Sequence, residues 1–129
     1  IWCSTNVKTA KEIIFVEGAI NGLSHAQLNP HLNAGYISIG GQMSPHQKEL
    51  VAYAMARVHE RGAAIVLATD RDEAGEAHAQ ALRDLAPAGA SLYRDVPALG
   101  QDWNEQLVQQ LVQQQHQEHE RQQGYAPGR

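Results

Sequence analysis

Apolar positions along the chain follow two rhythms. Four short runs, 12–16, 36–39, 63–68 and 91–93, are rich in aliphatic and aromatic residues, and they alternate with longer stretches whose apolar residues recur at helical spacing. This alternation predicts βαβ units and a parallel sheet. Residues Ile13 to Val16 and Ala64 to Ala68 are apolar at every position rather than every second one, as strands covered by helices on both faces require. Those two runs are therefore expected at the centre of the sheet.

The helical stretches carry their own boundaries. Asn29-Pro30 should stop a first helix over 19–28, whose buried side is expected to be Ile20 and Leu23. Ser44, Pro45 and Gln47 have the spacing of an N-cap, a first-turn proline and a capping box, and Gly62 closes the segment. Leu50, Ala54 and Val58, flanked by Val51 and Met55, form its expected apolar face. A third helix over 73–86 should turn Ala74, Ala77, Ala81, Leu82 and Leu85 inward. Asp102 followed by Glu105 marks the start of a fourth, with Leu107, Val108, Leu111 and Val112 on its apolar side. Tyr36, Tyr53 and Tyr93 read as packing residues. From residue 113 onward Gln, His, Glu and Arg dominate, so the expected domain is 1–112, with its core over 11–112. The tail, 113–129, is expected to be a solvated helical extension passing into disorder.

Composition narrows the class. At 129 residues the chain has room for one core that folds without staples. The single cysteine, Cys3, excludes an internal disulfide framework and a thiolate zinc cluster, which fits the reducing cytoplasm. No apolar run approaches the roughly 20 residues of a membrane span, so no membrane partner is expected. Ten Lys and Arg against fourteen Asp and Glu give a formal charge of -4, a poor balance for holding a polyanion unaided. Together with the start at Ile1, this suggests that other domains of a longer polypeptide supply affinity.

Ligands of open parallel sheets bind at the carboxyl ends of the strands, where the strand order reverses. Glu17 follows the first run, and Asp70 and Asp72 follow the third. With the runs in the order 2-1-3-4, all three acids face one crevice. Crowded carboxylates raise one another's pKa, and a divalent cation relieves the cost. Magnesium takes one or two protein carboxylates at about 2.1 Å and fills its shell with water and phosphate oxygens, which suits phosphoryl transfer. Asp after a strand also serves as a helix N-cap, so each motif alone has a structural reading; the pairing of the two favours a site.

The segments Phe15-Val16-Glu17-Gly18-Ala19-Ile20-Asn21, Ala68-Thr69-Asp70-Arg71-Asp72-Glu73-Ala74-Gly75 and Gly100-Gln101-Asp102-Trp103-Asn104-Glu105 resemble the Toprim domain of primases, topoisomerases and related nucleases. The likeness is greatest to the DnaG-type primase branch and the primase-like Toprim domains of mobile elements. It implies a Rossmann-like α/β fold with a four-stranded, mainly parallel sheet in the order 2-1-3-4 and helices on both faces. It also implies magnesium, with manganese as a substitute, held by Asp70, Asp72, Glu17 and Asp102, with Glu17 as general acid or base. Gly18, Asn21, Arg71 and Asn104 then become candidates for nucleic-acid or phosphate contact. The primase branch usually has Asp at the positions of Asn21 and Asn104, and losing both charges should weaken a second metal ion. The expected function is primase-like nucleotidyl transfer on a DNA or RNA template with nucleotides. Toprim nuclease or strand transfer, and a non-catalytic docking module, are the alternatives. A phosphatase-like or receiver-like domain ranks last, because such folds place an Asp where this chain has Glu17.

Overall fold

A computed structural model describes residues 1–124. Among these residues the strands are β1 (Trp2–Cys3), β2 (Glu12–Val16), β3 (Ala34–Ser38), β4 (Ala64–Leu67) and β5 (Leu92–Arg94). The helices are α1 (Ala19–Leu28), α2 (Pro45–Glu60), α3 (Glu73–Leu85) and α4 (Trp103–Gly124). They form one sheet in the order β1-β3-β2-β4-β5. Every pairing from β3 to β5 is parallel, and β2 is hydrogen-bonded to both β3 and β4.

The four expected strands are present in the expected order, and one more is added. Trp2 and Cys3 pair antiparallel with Ser38 and Ile37, so the sheet has five strands rather than four. Two residues are too few for a period to show, and this strand exists only because the edge of β3 is there to pair with it.

The all-apolar runs behave as the pattern requires. Ile13, Ile14, Phe15 and Val16 of β2, and Ile65, Val66 and Leu67 of β4, are buried. One face of the sheet packs Ile13, Phe15, Ile65 and Leu67 against Val51, Met55 and Val58 of α2 and against Ala79 and Leu82 of α3. The other face packs Ile14, Val16, Tyr36 and Val66 against Trp103. Ser44 accepts a hydrogen bond from the Gln47 amide while the Gln47 side chain accepts from the Ser44 amide, the expected capping box.

Helix faces differ from the expectation in four places. On α1, Ile20 and Leu23 are 66 % and 60 % exposed, while Gly22, Ser24 and His25 are buried. The helix lies so close to the sheet that a Cβ at Gly22 would come within 3.3 Å of Val16 and Trp2, leaving no room for a large residue on that side. On α4, Val108, Leu111 and Val112 are exposed and the buried positions are Trp103 and Gln106. Only the first turns of α4 rest on the body of the domain, so the apolar side further along has nothing to cover it. Leu50 of α2 is exposed, and on α3 Ala74 and Ala77 face outward while Gly75, Ala79 and Leu82 face in. Of the three tyrosines taken for packing residues only Tyr36 is buried; Tyr53 and Tyr93 are exposed. Residues 113–124 continue α4, and the disorder expected at the far end falls outside the described residues.

Candidate functional site

The acids meet at the carboxyl ends of β2 and β4, which are neighbours. Glu17 immediately follows β2, its backbone carbonyl accepting from the Gly40 amide at 2.8 Å and the Ser38 hydroxyl at 3.1 Å. Its side chain turns toward β4, where Oε1 accepts from the Asp70 amide at 3.4 Å and from Nδ1 of His78 at 3.0 Å. Glu17 and Asp70 are thus in contact across the two central strands.

Side chains hold the segment carrying Asp70 carbonyl by carbonyl. Trp103 donates its indole N–H to the Ala68 carbonyl at 2.8 Å. Arg94, at the end of β5, donates to the carbonyls of Leu67 at 2.9 Å, Thr69 at 3.0 Å and Asp70 at 3.1 Å, and pairs with Glu76 at 2.8 Å. The buried Thr69 hydroxyl donates to the Gly75 carbonyl at 2.7 Å. Past the last ladder bond of β4, this irregular stretch would otherwise leave backbone acceptors without partners in a half-dry place. Gly75 completes the fit: a Cβ there would overlap the Asp70 carbonyl, lying 2.6 Å from its carbon. The Asp-x-Asp-x-x-Gly spacing thus brings the first turn of α3 against the backbone of the first Asp.

Asp72 and Asp102 each make an N-cap bond. Asp72 Oδ1 accepts from the Gly75 amide at 2.6 Å, and Asp102 Oδ1 accepts from the Glu105 amide at 2.8 Å. Both are also close enough to act on Asp70. The carboxyl of Asp70 is pushed up from 3.8 to about 7, first by burial, then by its hydrogen bond and charge contact with Glu17, and further by the charges of Asp102 and Asp72. All four acids named from the sequence therefore share one electrostatic site.

Asn21 and Asn104 connect it to α4. Asn21 donates its amide to Asp70 Oδ1 at 3.4 Å and accepts from the Asn104 backbone amide at 3.2 Å, and Ser24 donates to Asn104 Oδ1 at 3.4 Å. Where two more acids would add repulsion, these amides donate and accept without charge. Gly18 caps α1 with nothing within 4 Å of where a Cβ would stand, so the approach to it is open. Arg71 is exposed; its backbone amide donates to Gln101 at 2.6 Å, and its guanidinium reaches the Pro97 carbonyl at 3.5 Å.

Among the described residues no three His, Cys, Asp or Glu side chains are gathered so as to hold a metal ion by themselves. Magnesium does not need such a cage, since one or two carboxylates with water and phosphate suffice. A hard-oxygen donor set, and a carboxyl pushed up by burial and then by three like charges, fit a divalent cation. His78 and Arg94 were not singled out from the sequence. Neither lies in a recognisable motif, and only the packing of α3 and β5 against β4 brings them in.

A doubly wound α/β domain with carboxylates at the switch point of its sheet is one of the ways in which nature builds phosphate chemistry. The sequence matches the Toprim-like family over residues 14–107, and the chain belongs to that family. No curated protein matches it. Among solved structures it is similar to the primase fragment of the bacteriophage T7 primase-helicase protein, with a TM-score of 0.53 and 22 % identity. The likeness covers 83 % of this chain and 42 % of that one, and it shows a shared fold. No helix among the described residues is long and apolar enough to cross a membrane.

Proposed function

We propose that this Toprim domain performs magnesium-dependent phosphodiester chemistry on nucleic acid, as the catalytic part of a primase-like nucleotidyltransferase. The carrying observation is the contact of Glu17 with Asp70 across β2 and β4, where burial, then Glu17, and lastly the charges of Asp102 and Asp72 push the Asp70 carboxyl up to about 7.

In this reading Asp70 and Asp72 would hold the cation, with Asp102 and Glu17 adding negative charge around it. When bound, magnesium neutralises phosphate charge and orients the attacking oxygen. Glu17 takes the proton of a 3'-hydroxyl as that oxygen attacks a nucleoside triphosphate, and pyrophosphate leaves. The open backbone at Gly18, the exposed Arg71, and Asn21 and Asn104 contact phosphates or the strand. Manganese is the expected substitute ion. The partners are a DNA or RNA template, nucleotides, and further domains of the same polypeptide that supply the positive charge this acidic domain lacks. The single cysteine suits a cytoplasmic setting, and the domain proper is taken as 1–112.

A nuclease or strand-transfer reaction is the second reading. Asn21 and Asn104 favour it, because amides bridging Asp70 to α4 suit one cation better than two. The full chain incubated with magnesium, a single-stranded template and labelled nucleotides should yield template-dependent oligonucleotides, and Asp70→Asn and Glu17→Gln should abolish them. Cleavage of the strand without synthesis selects the second reading. Absence of both products, with no response to magnesium, leaves a docking module.

A further inference from the structure

We infer that His78 is a positioning residue for Glu17, holding the carboxylate by an Nδ1–H···Oε1 bond so that its other oxygen addresses the cation and the attacking hydroxyl. The inference rests on the proposed role of Glu17 and assigns its control to a residue of α3 that lies outside the motifs.

A carboxylate can only accept, so with Oε1 already accepting from the Asp70 amide the ring nitrogen 3.0 Å away takes the donor role, which assigns the ring proton to Nδ1. Two donors from different elements, the end of β4 and the middle of α3, therefore converge on one oxygen. A carboxylate held by one oxygen still swings about that contact, whereas two donors at an angle fix both its rotamer and the plane of its oxygens. Without His78, Glu17 keeps only the longer 3.4 Å bond from the Asp70 amide and its contact with the Asp70 carboxyl, which repels it once both are charged. Both partners are largely enclosed, with side-chain exposures of 21 % for His78 and 17 % for Glu17, so water competes poorly for the bond. Glu17 lies at the start of the crevice and His78 one turn beyond Ala74 and Gly75, on the side of α3 facing it. Outer partners of this kind typically change metal affinity or activity by roughly 10- to 100-fold.

The atom involved makes the test specific. An asparagine amide nitrogen stands where Nδ1 of histidine stands, while a glutamine amide nitrogen stands where Nε2 does. In the full chain, magnesium alone is titrated while the amide resonances of Gly18 and Asp70 are followed; the Asp70 amide reports on Oε1 directly, being bonded to it. His78→Phe should shift the Asp70 resonance before any metal is added and weaken magnesium binding by roughly 10-fold or more. His78→Asn should restore both, and His78→Gln should not. Unfolding midpoints of the three variants separate loss of fold from loss of position. Equal behaviour of the Asn, Gln and Phe variants, or wild-type magnesium binding in His78→Phe, overturns the inference. Glu17→Gln is titrated in parallel. If it loses the magnesium response while His78→Phe keeps it, the site stands and the role of His78 falls; if Glu17→Gln itself responds like the wild type, the reading of Glu17 falls and takes this one with it.

Discussion

The two faces of the sheet are built on different principles. Beneath α2 and α3 lies a dry apolar core: Ile13, Phe15, Ile65, Leu67, Val51, Met55 and Leu82, nearly all without exposed surface. Beneath α1 and α4 the apolar set is smaller, and buried polar residues do part of the packing. His25, 1 % exposed, stacks edge-on against Trp103, accepts a hydrogen bond from the Tyr36 hydroxyl at Nδ1 (2.7 Å) and donates one from Nε2–H to Asp95 Oδ2 (3.0 Å). Burial, with the charges of Glu12 and Asp95, holds the Tyr36 phenol well above its ordinary range, so it remains a donor. The dry face is stabilised by area removed from water, and the polar face by satisfied bonds that fix geometry. The acids belong to both, since Glu17 leads into α1, Asp72 into α3 and Asp102 into α4.

The largest effect should come from breaking the dry face. Phe15→Ala removes a fully buried ring between both flanking strands and should cost about 3–5 kcal/mol in urea unfolding. On the polar face, His25→Leu keeps volume but strands the buried Tyr36 hydroxyl, for a cost of about 1–3 kcal/mol, while the half-exposed Asp95 carboxylate turns to water. Adding Tyr36→Phe to that variant should recover part of the loss, whereas the same change in the wild type should destabilise; simple additivity would show that the network is not a unit.

A smaller effect is spread over pH. The Asp70 carboxyl titrates higher in the folded chain than in the unfolded one, so the folded state binds the proton more tightly. The stability it contributes is complete below about pH 4 and is lost as pH rises through about 7. In metal-free protein Asp70→Asn should flatten this decline, and magnesium should raise the unfolding temperature more at pH 8 than at pH 5. The smallest effect tests the faces themselves. Ile20→Gln and Val112→Gln, on sides that periodicity would bury, should each change stability by less than about 0.5 kcal/mol.

Strand identity and the meeting of the acids at the strand ends could be read from residues because both rest on local rules. Runs such as Ile13 to Val16 have one stable home, between two layers of helices. The capping box at Ser44 and the stop at Asn29-Pro30 gave helix limits within a residue or two, since these bonds form within the segment itself. Glu17 and Asp70 could be placed together because each follows one of two neighbouring strands, and Asp72 and Asp102 because each caps the start of a helix.

Tertiary structure decided which side of each helix is covered, and it did so against hydrophobicity on α1 and α4. There a close approach admits Gly22 and Ser24 but not Ile20, and a buried histidine is tolerated because Tyr36 and Asp95 reach it from β3 and from beyond β5. It also decided the short edge strand at Trp2, which takes its form from β3, and the arrival of His78 and Arg94 at the acids. Sequence alone determined the layers, the strand ends and the acids they carry. The contacts that hold those acids join residues tens of positions apart, and they exist only once the sheet has closed the distance.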